Sequence, residues 1–255
     1  MVAVKLDSSR ILPSVPDTIP LGLGVTHALF LAAFGICAKT AIEFTDPAPT
    51  LAFYGVYHRD PWNQLIHFFG VPLILWSMLV FAAHLPLTNA VTIPSIPAGC
   101  CRAHHVSWAT LFLILYTALY FRIDVVGALM YTPIMLYMYA TAIEWTANDQ
   151  AKKKENGDDS WLGTKQVAKQ ALWMHLLGWY LQIHLGHKIL EGAQPATLAN
   201  MGAALTTAPL FAFYEGIWWL GFRTELQQRV GELVATYTQE LCSQGATMRV
   251  CESLR

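Results

Sequence analysis

Long apolar runs separated by short polar or turn-rich segments dominate this sequence. The clearest run extends from residue 68 to 85 and contains no Asp, Glu, Lys or Arg. Such a run predicts a membrane-spanning helix, because about 20 apolar residues cross the hydrocarbon core of a bilayer. We therefore predict an all-α fold, a polytopic membrane helical bundle of about six spans, at 21–43, 68–85, 106–121, 125–145, 171–190 and 201–222.

The segments outside the spans predict two flanking regions. Residues 1–20 contain three prolines, and we interpret them as an N-terminal leader before a retained first span. Residues 223–255 carry apolar residues at helical intervals, which predicts a C-terminal amphipathic helix on the bilayer or on the bundle. The membrane helical domain is predicted at 21–222. Only a tight turn at 122–124 separates its third and fourth spans, so these two are alternatively a re-entrant or interfacial pair.

The distribution of basic residues predicts which segments share a side of the membrane. With six spans, the N-terminus, the loops 86–105 and 148–170 and the tail lie on one side, and they hold twelve of the sixteen basic residues. The positive-inside rule assigns that side to the cytosol, and the charged loop 148–170 is expected to be solvated. The polar segments 44–67 and 183–200 are then predicted to lie together on the opposite side.

The composition indicates a lipid environment and excludes several classes of protein. Hydrophobic residues make up 55% of the chain and charged residues 13%, against about 25% charged in soluble domains. A net charge of −1 gives no electrostatic footprint for nucleic acid, which we exclude as a partner. The five cysteines lack CxxC spacing, so we expect buried or free thiols. Motifs of serine hydrolases, dinucleotide-binding enzymes and HExxH proteases are missing.

Four of the nine histidines lie in the two polar segments and form the candidate site. His58 and His67 flank Asp60–Pro61, a spacing that suits a turn delivering both rings to one place. His184 and His187 are three residues apart and are predicted to share one face of an α-helix. Neutral imidazoles suit iron and zinc, and nearby polar groups can orient the rings. These groups are Asn63, Gln64, Gln182 and Glu191.

The alternative interpretation is that each histidine caps or bridges helices without a metal. His175 is expected at the cytosolic end of its helix, unless a kink or a deep pocket brings it to the other histidines. Glu215 lies within the last span, where it is expected to pair with a Lys or Arg at a helix end.

Two blocks carry a resemblance to a known family. The first is FYGVYHRDPWNQLIHFFGVPL, and the second is HLLGWYLQIHLGHKILEGAQPA, which an apolar span follows. Together they resemble the fungal-type family of endoplasmic reticulum membrane 2-hydroxy fatty acid dioxygenases, over roughly residues 50–222. Gln182 and His187 stand one residue further apart than in the family's pattern. The matching positions are Tyr57, His58, Asn63, His67, Gly70, Pro72, Trp179, Gln182, Gly186, His187, Glu191, Pro195 and Ala196.

The resemblance implies an iron(II) enzyme that uses dioxygen to shorten a long-chain 2-hydroxy fatty acid by one carbon. This reaction belongs to fatty acid α-oxidation in phytosphingosine breakdown, a part of sphingolipid catabolism, and takes place in a multi-pass protein of the endoplasmic reticulum membrane. The implied iron ligands are His58, His67 and His187, because three ligands of an octahedral ion leave room for a bidentate substrate and dioxygen. His184 or His175 is then a fourth ligand or proton shuttle. The implied supporting groups are Asn63, Gln182 and Glu191.

Two other functions fit a histidine-containing membrane bundle. A di-iron lipid hydroxylase or desaturase needs HxxxH and HxxHH boxes, whereas the chain has one adjacent pair, His104–His105. A non-catalytic transporter or scaffold would use intramembrane polar residues to line a path or join helices. The metal content of the purified protein separates the enzyme from the transporter.

Overall fold

The computed structural model describes residues 21–43, 46–93, 103–156, 161–193, 195, 201–246 and 248–252. The predicted leader 1–20 lies outside these residues. The elements in chain order are α1 Leu21–Glu43, α2 Pro47–Gly55, α3 Pro61–Ala83, β1 Thr92–Ile93, β2 His104–His105, α4 Trp108–Ile123, α5 Val125–Asn156, α6 Gln166–Tyr180, a π-helix Leu181–Glu191, α7 Met201–Trp219, α8 Thr224–Ser243 and α9 Arg249–Glu252.

The six apolar segments marked in the sequence are largely helical. Among the described residues, α1, α3 and α5 are long and apolar enough to cross a membrane, and α4 is apolar but shorter. The helical fold class is therefore confirmed and the apolar helices support a membrane protein, whereas the count of six spans stays a prediction. α5 continues to Asn156, so the first part of the connector 148–170, expected as a loop, is helical instead.

The chain divides into two compact units. The first comprises Met1–Phe34, Trp76–Leu115 and Thr132–His175. In its described part, the ring centroid of Trp108 lies 6.3 Å from that of Phe30 and 6.0 Å from that of Phe34. β1 and β2 pair antiparallel, with Ile93 opposite His104. This two-residue pairing is a small addition to the predicted all-α fold.

The second unit comprises Gly35–Leu75, Tyr116–Tyr131 and Leu176–Arg255. In its described part, α2 packs against α7 and α8. The predicted tight turn between α4 and α5 is formed at Asp124, whose carboxylate accepts a hydrogen bond from Gly127 N at 3.1 Å and so caps α5. The same carboxylate pairs with Arg223 at 3.0 Å and accepts a hydrogen bond from the Tyr214 hydroxyl.

The tail lies beside the polar segments, which corrects the predicted arrangement of the chain. Positive φ angles of 78° at Gly221 and 59° at Arg223 turn the backbone after α7, and α8 then packs against α2. Exposed Arg229 forms an ion pair with Asp46 at 3.3 Å. The prediction that the tail and segment 44–67 lie on opposite sides of the membrane is therefore wrong. That prediction came from counting membrane crossings, and such a count does not detect a chain that turns back on itself after a helix.

The cysteines also depart from expectation. Cys37 is a buried free thiol, as expected. Cys242 and Cys251, however, form a disulfide with a Cα–Cα distance of 5.3 Å. Disulfides persist in oxidising compartments, which disagrees with the cytosolic side that the charge count assigns to the tail.

Candidate metal centre

The first segment of the site is the turn between α2 and α3. Asp60 caps α3, because its Oδ1 accepts hydrogen bonds from the backbone N–H groups of Trp62 at 2.8 Å and Asn63 at 3.1 Å. His58 precedes this cap, and His67 follows it on the helix. Their ring centroids are 4.4 Å apart, so the turn brings both rings together, as the sequence predicts.

Backbone carbonyl groups orient both rings. His58 Nδ1 lies 2.9 Å from the carbonyl oxygen of Tyr54, and His67 Nδ1 lies 2.9 Å from that of Asn63. Since a carbonyl oxygen can only accept a hydrogen bond, we assign the proton to Nδ1 in each neutral ring. Nε2 then carries the lone pair, which is the state in which an imidazole binds a metal.

His187 comes from the π-helix Leu181–Glu191. Hydrogen bonds between residues five apart make this helix wider than an α-helix, so residues four and five positions apart share a face. Gln182, Gly186 and His187 follow that spacing and are the buried residues of this helix. Gly192, with φ of 64°, ends it. The face that reaches the site is therefore set by the π winding.

His58, His67 and His187 form a compact buried cluster. They are 3%, 5% and 3% exposed, and the ring centroid of His187 lies 4.9 Å from each of the other two. Each ring contributes one ligand atom, and these three atoms lie within 4.8 Å of one another. Among the described residues, these three histidines form the group of His, Cys, Asp or Glu side chains that could hold a metal ion.

The electrostatic environment keeps His58 neutral. Burial lowers the pKa of His58 well below its ordinary value, and the neighbouring His67 and His187 rings lower it further, although the hydrogen bond to Tyr54 raises it. A neutral ring near pH 7 offers its lone pair without first losing a proton. The cluster is thus ready to bind a cation over the physiological pH range.

Glu191 connects the end of the π-helix to the start of α3. Its carboxylate oxygens accept hydrogen bonds from the backbone N–H groups of Arg59 and Asp60, each at 2.9 Å. Asn63 Nδ2 donates to Glu191 Oε2 at 3.0 Å. The sequence predicts Asn63 and Glu191 as supporting groups around the histidine rings, and this stays a prediction. Their side-chain contacts join the two segments, and for His58 and His67 the ring hydrogen bonds go to the backbone.

Gly186 is required by the close approach of the π-helix to α3. A Cβ atom at this position would overlap Asn63 Oδ1 and lie 3.3 Å from His67 Cε1. We expect Gly186→Ala to displace Asn63, to destabilise the protein by about 1–3 kcal/mol and to lower its metal content. Thermal unfolding and metal analysis of the detergent-purified variant measure both effects.

The control for this substitution is Gly231→Ala on α8, where a Cβ atom meets nothing within 4 Å. This change should leave metal content unaltered, and it should stabilise the helix by up to about 1 kcal/mol. Wild-type stability and metal content in the Gly186 variant would contradict the described packing.

His184 and His175 make contacts other than those of the three-histidine cluster. His184 is half-buried and stacks on Tyr180 with ring centroids 5.1 Å apart. The predicted α-helical face shared with His187 is wrong, because residues three apart diverge in the wider π winding. His175 belongs to the first unit, where its Nδ1 lies 3.0 Å from Ser77 Oγ. Neither histidine is part of the three-ring group.

Gln182 and Glu215 are two further buried polar side chains of the second unit. Gln182 is buried, and its Nε2 has no hydrogen-bond partner among the described residues. Glu215 is 3% exposed, and neither of its carboxyl oxygens has a partner in the described part of the chain. The expected pairing of Glu215 with a Lys or Arg is therefore not formed among these residues.

Sequence reasoning did not single out Tyr54 and Phe211, whose rings lie against His58. The Tyr54 ring stacks on the His58 ring at 5.5 Å, and the Phe211 ring lies 5.4 Å from it. Tyr54 could have been noticed from its position four residues before His58. Asn63 precedes His67 by the same spacing, and in both cases the earlier residue supplies the carbonyl group that faces the ring. Both rings thus contribute to the burial of His58.

The donor set fits a divalent transition metal. His58 Nε2 and His187 Nδ1 are buried and have no hydrogen-bond partner among the described residues. Leaving such atoms unpaired costs about 1–3 kcal/mol each, which a bound cation would offset. Three neutral imidazoles suit iron or zinc in particular.

Comparisons with known proteins agree with this geometry. The model of the family described as 2-hydroxy-palmitic acid dioxygenase Mpo1-like matches residues 44–217, a range that includes all three clustered histidines. The chain is 25% identical over 182 residues to 2-hydroxy-palmitic acid dioxygenase MPO1 of Saccharomyces cerevisiae, covering 71% of this chain and 86% of that protein. No solved structure matches the chain. With a match over most of its length and its histidine cluster inside that match, this chain belongs to the Mpo1-like family of 2-hydroxy-palmitic acid dioxygenases.

Proposed function

We propose that the protein is an iron(II)-dependent dioxygenase that shortens long-chain 2-hydroxy fatty acids by one carbon, with loss of the carboxyl carbon. The observation that carries the proposal is the buried cluster of His58, His67 and His187 inside the region that the family model matches. The name of the yeast relative indicates the substrate class.

In this proposal His58, His67 and His187 hold the ion. The bound iron would supply open positions for the 2-hydroxy carboxylate and dioxygen, together with the electrons that activate dioxygen. The carbonyl groups of Tyr54 and Asn63 keep the protons of the His58 and His67 rings on Nδ1. Burial of all three rings excludes bulk water from the site.

The surrounding residues have narrower roles. Glu191 and Asn63 hold the π-helix against the start of α3 through their hydrogen bond of 3.0 Å, and Gln182 lies on the face that carries His187. His184, stacked on Tyr180, is proposed to contribute to proton transfer rather than to bind the ion. The proposal does not extend to His175, whose ring bonds Ser77 in the first unit.

The lipid environment completes the proposal. We propose that the protein is a multi-pass protein of the endoplasmic reticulum membrane acting in sphingolipid breakdown, with further helices crossing the bilayer besides α1, α3 and α5. Large apolar side chains are exposed on several helices, among them Leu29 at 65%, Tyr137 at 71% and Trp173 at 71%. Exposed apolar side chains of this size favour contact with lipid, and a lipid environment also brings a long acyl chain to the protein.

Removal of the metal tests the proposal. Detergent-purified protein is expected to consume oxygen with 2-hydroxyhexadecanoic acid and to release the fatty acid with fifteen carbons. Treatment with a chelator should abolish turnover, and addition of Fe²⁺ should restore it, because the histidines alone do not activate dioxygen. Oxygen electrode traces and mass spectrometry of the product measure the two halves of the reaction.

Hexadecanoic acid without the hydroxyl group is the substrate control and should give no product. Undiminished turnover in metal-free protein would refute the iron dependence. A purified protein that binds neither iron nor zinc would instead favour the transporter or scaffold alternative.

A further inference from the structure

The C-terminal tail contacts the π-helix that carries His187, although it lies outside the matched region 44–217. α9, Arg249–Glu252, has only four residues. A single helical turn is unstable on its own, because nucleation fixes several residues for one hydrogen bond. The disulfide between Cys242 and Cys251 joins α9 to the end of α8, and Met248 and Cys251 are buried. The disulfide and the burial of Met248 and Cys251 therefore hold residues 248–252 in a defined position.

Arg249 is the tail residue that reaches the π-helix. Its Nη1 donates a hydrogen bond to the carbonyl oxygen of Leu190 at 2.8 Å, and its Nη2 donates to that of Ile189 at 3.1 Å. The backbone N–H of Arg249 donates to Gly192 O at 3.2 Å. The last carbonyl groups of a helix lack partners within it, and a cation at that end also interacts favourably with the helix dipole. Arg249 thus caps the C-terminal end of the π-helix.

The capped carbonyl groups are adjacent to site residues. Ile189 and Leu190 lie between His187 and Glu191, and Glu191 accepts hydrogen bonds from the first residues of the α3 turn. Any rotation of this helix end would move His187 relative to His58 and His67, whose own orientation is fixed by α2 and α3.

We propose that Arg249 is a positioning residue of the metal centre and that the Cys242–Cys251 disulfide holds it in place. Arg249 fixes the end of the π-helix, and through it His187 and Glu191. The inference rests on the proposed function, since it requires that the three histidines bind a metal.

Cobalt(II) binding to the full-length detergent-solubilised protein tests the inference, because the visible absorption of cobalt reports its ligands independently of turnover. Arg249→Gln and the double variant Cys242→Ser/Cys251→Ser should each bind cobalt about 10-fold more weakly, at the lower end of the 10–100-fold range for groups surrounding a metal site. Arg249→Lys should recover part of the affinity, because it keeps the charge but not the paired donors.

Reduction provides the same test without a substitution. Wild-type protein that has been reduced, desalted and kept under nitrogen should bind cobalt as weakly as the double variant, and reoxidation should restore its affinity. The matched control is Arg229→Gln. Arg229 is an exposed arginine on the same tail and pairs with Asp46, which precedes α2. Its substitution should leave cobalt affinity and the absorption spectrum of bound cobalt unchanged. The unfolding midpoint, measured in parallel, separates a local change at the site from general destabilisation.

The outcomes distinguish the two proposals. If wild-type protein binds cobalt and the reduced protein and the Arg249 variant bind it equally well, the positioning role is overturned while the metal site stands. Ready alkylation of Cys242 and Cys251 in unreduced protein overturns the role of the disulfide. Failure of the wild-type protein to bind cobalt overturns the metal site, and the inference with it.

Discussion

Replacement of His58 or His67 by alanine is expected to abolish oxygen-dependent turnover of a long-chain 2-hydroxy fatty acid. Each substitution removes one of three nitrogen donors that lie within 4.8 Å of one another, and no other His, Cys, Asp or Glu among the described residues completes that group. The loss of activity should be larger than the decrease of about 10–100-fold that follows when a group surrounding the metal ligands is removed. Bound iron and product formation, measured on membrane-inserted protein, report the two effects.

His84→Ala is the matched control for these variants. His84 is also a buried histidine, 1% exposed, and its Nδ1 lies 2.8 Å from the carbonyl oxygen of Val80. Its removal leaves a comparable packing defect in the first unit, at a histidine that is not part of the three-ring group. Retention of iron and turnover by the His58 or His67 variant would exclude that residue as a ligand. An equal loss in the His84 variant would indicate general destabilisation.

His187→Ala is expected to empty the metal site, whereas His184→Gln should retain bound iron and lose only part of the activity. The two residues are three apart on the π-helix, but His187 is buried against His58 and His67 and His184 stacks on Tyr180. We expect a decrease of about 10–100-fold in the His184 variant, in the range for groups near a metal site. Iron content and the rate of α-oxidation measured on both variants decide between the two positions.

The opposite pattern would show that the ligand assignment is wrong by one helical turn. An emptied site in the His184 variant, with iron retained in the His187 variant, would require a different winding of residues 181–191. His184→Phe serves as a further comparison, because it preserves stacking on Tyr180 while removing the nitrogen atoms.

The helices and the first half of the site could be predicted from sequence because local signals determine them. Long uncharged runs predict apolar helices, and the Asp60–Pro61 pair between the two histidines predicts the turn that brings His58 and His67 together. The orientation of those rings was not foreseen, since it depends on carbonyl groups of the backbone, which every residue type supplies.

The second half of the site was harder to predict because it depends on winding and on tertiary contacts. Residue spacing assumes a helix type, and the α-helical spacing placed His184 on the same face as His187. The disulfide between Cys242 and Cys251 and the cap at Arg249 arise from the reversal after α7. No short motif in the tail predicts either feature.

The π-helix determines which residues of the second segment lie on its buried face. Gln182 and His187 are five residues apart, and the π winding places both on the buried face. A chain with one residue fewer between them would place the same pair four apart, on one face of an ordinary α-helix. The local widening of this helix thus matches the five-residue spacing of this chain, whereas a chain with the shorter spacing would need no widening to present both residues on one face.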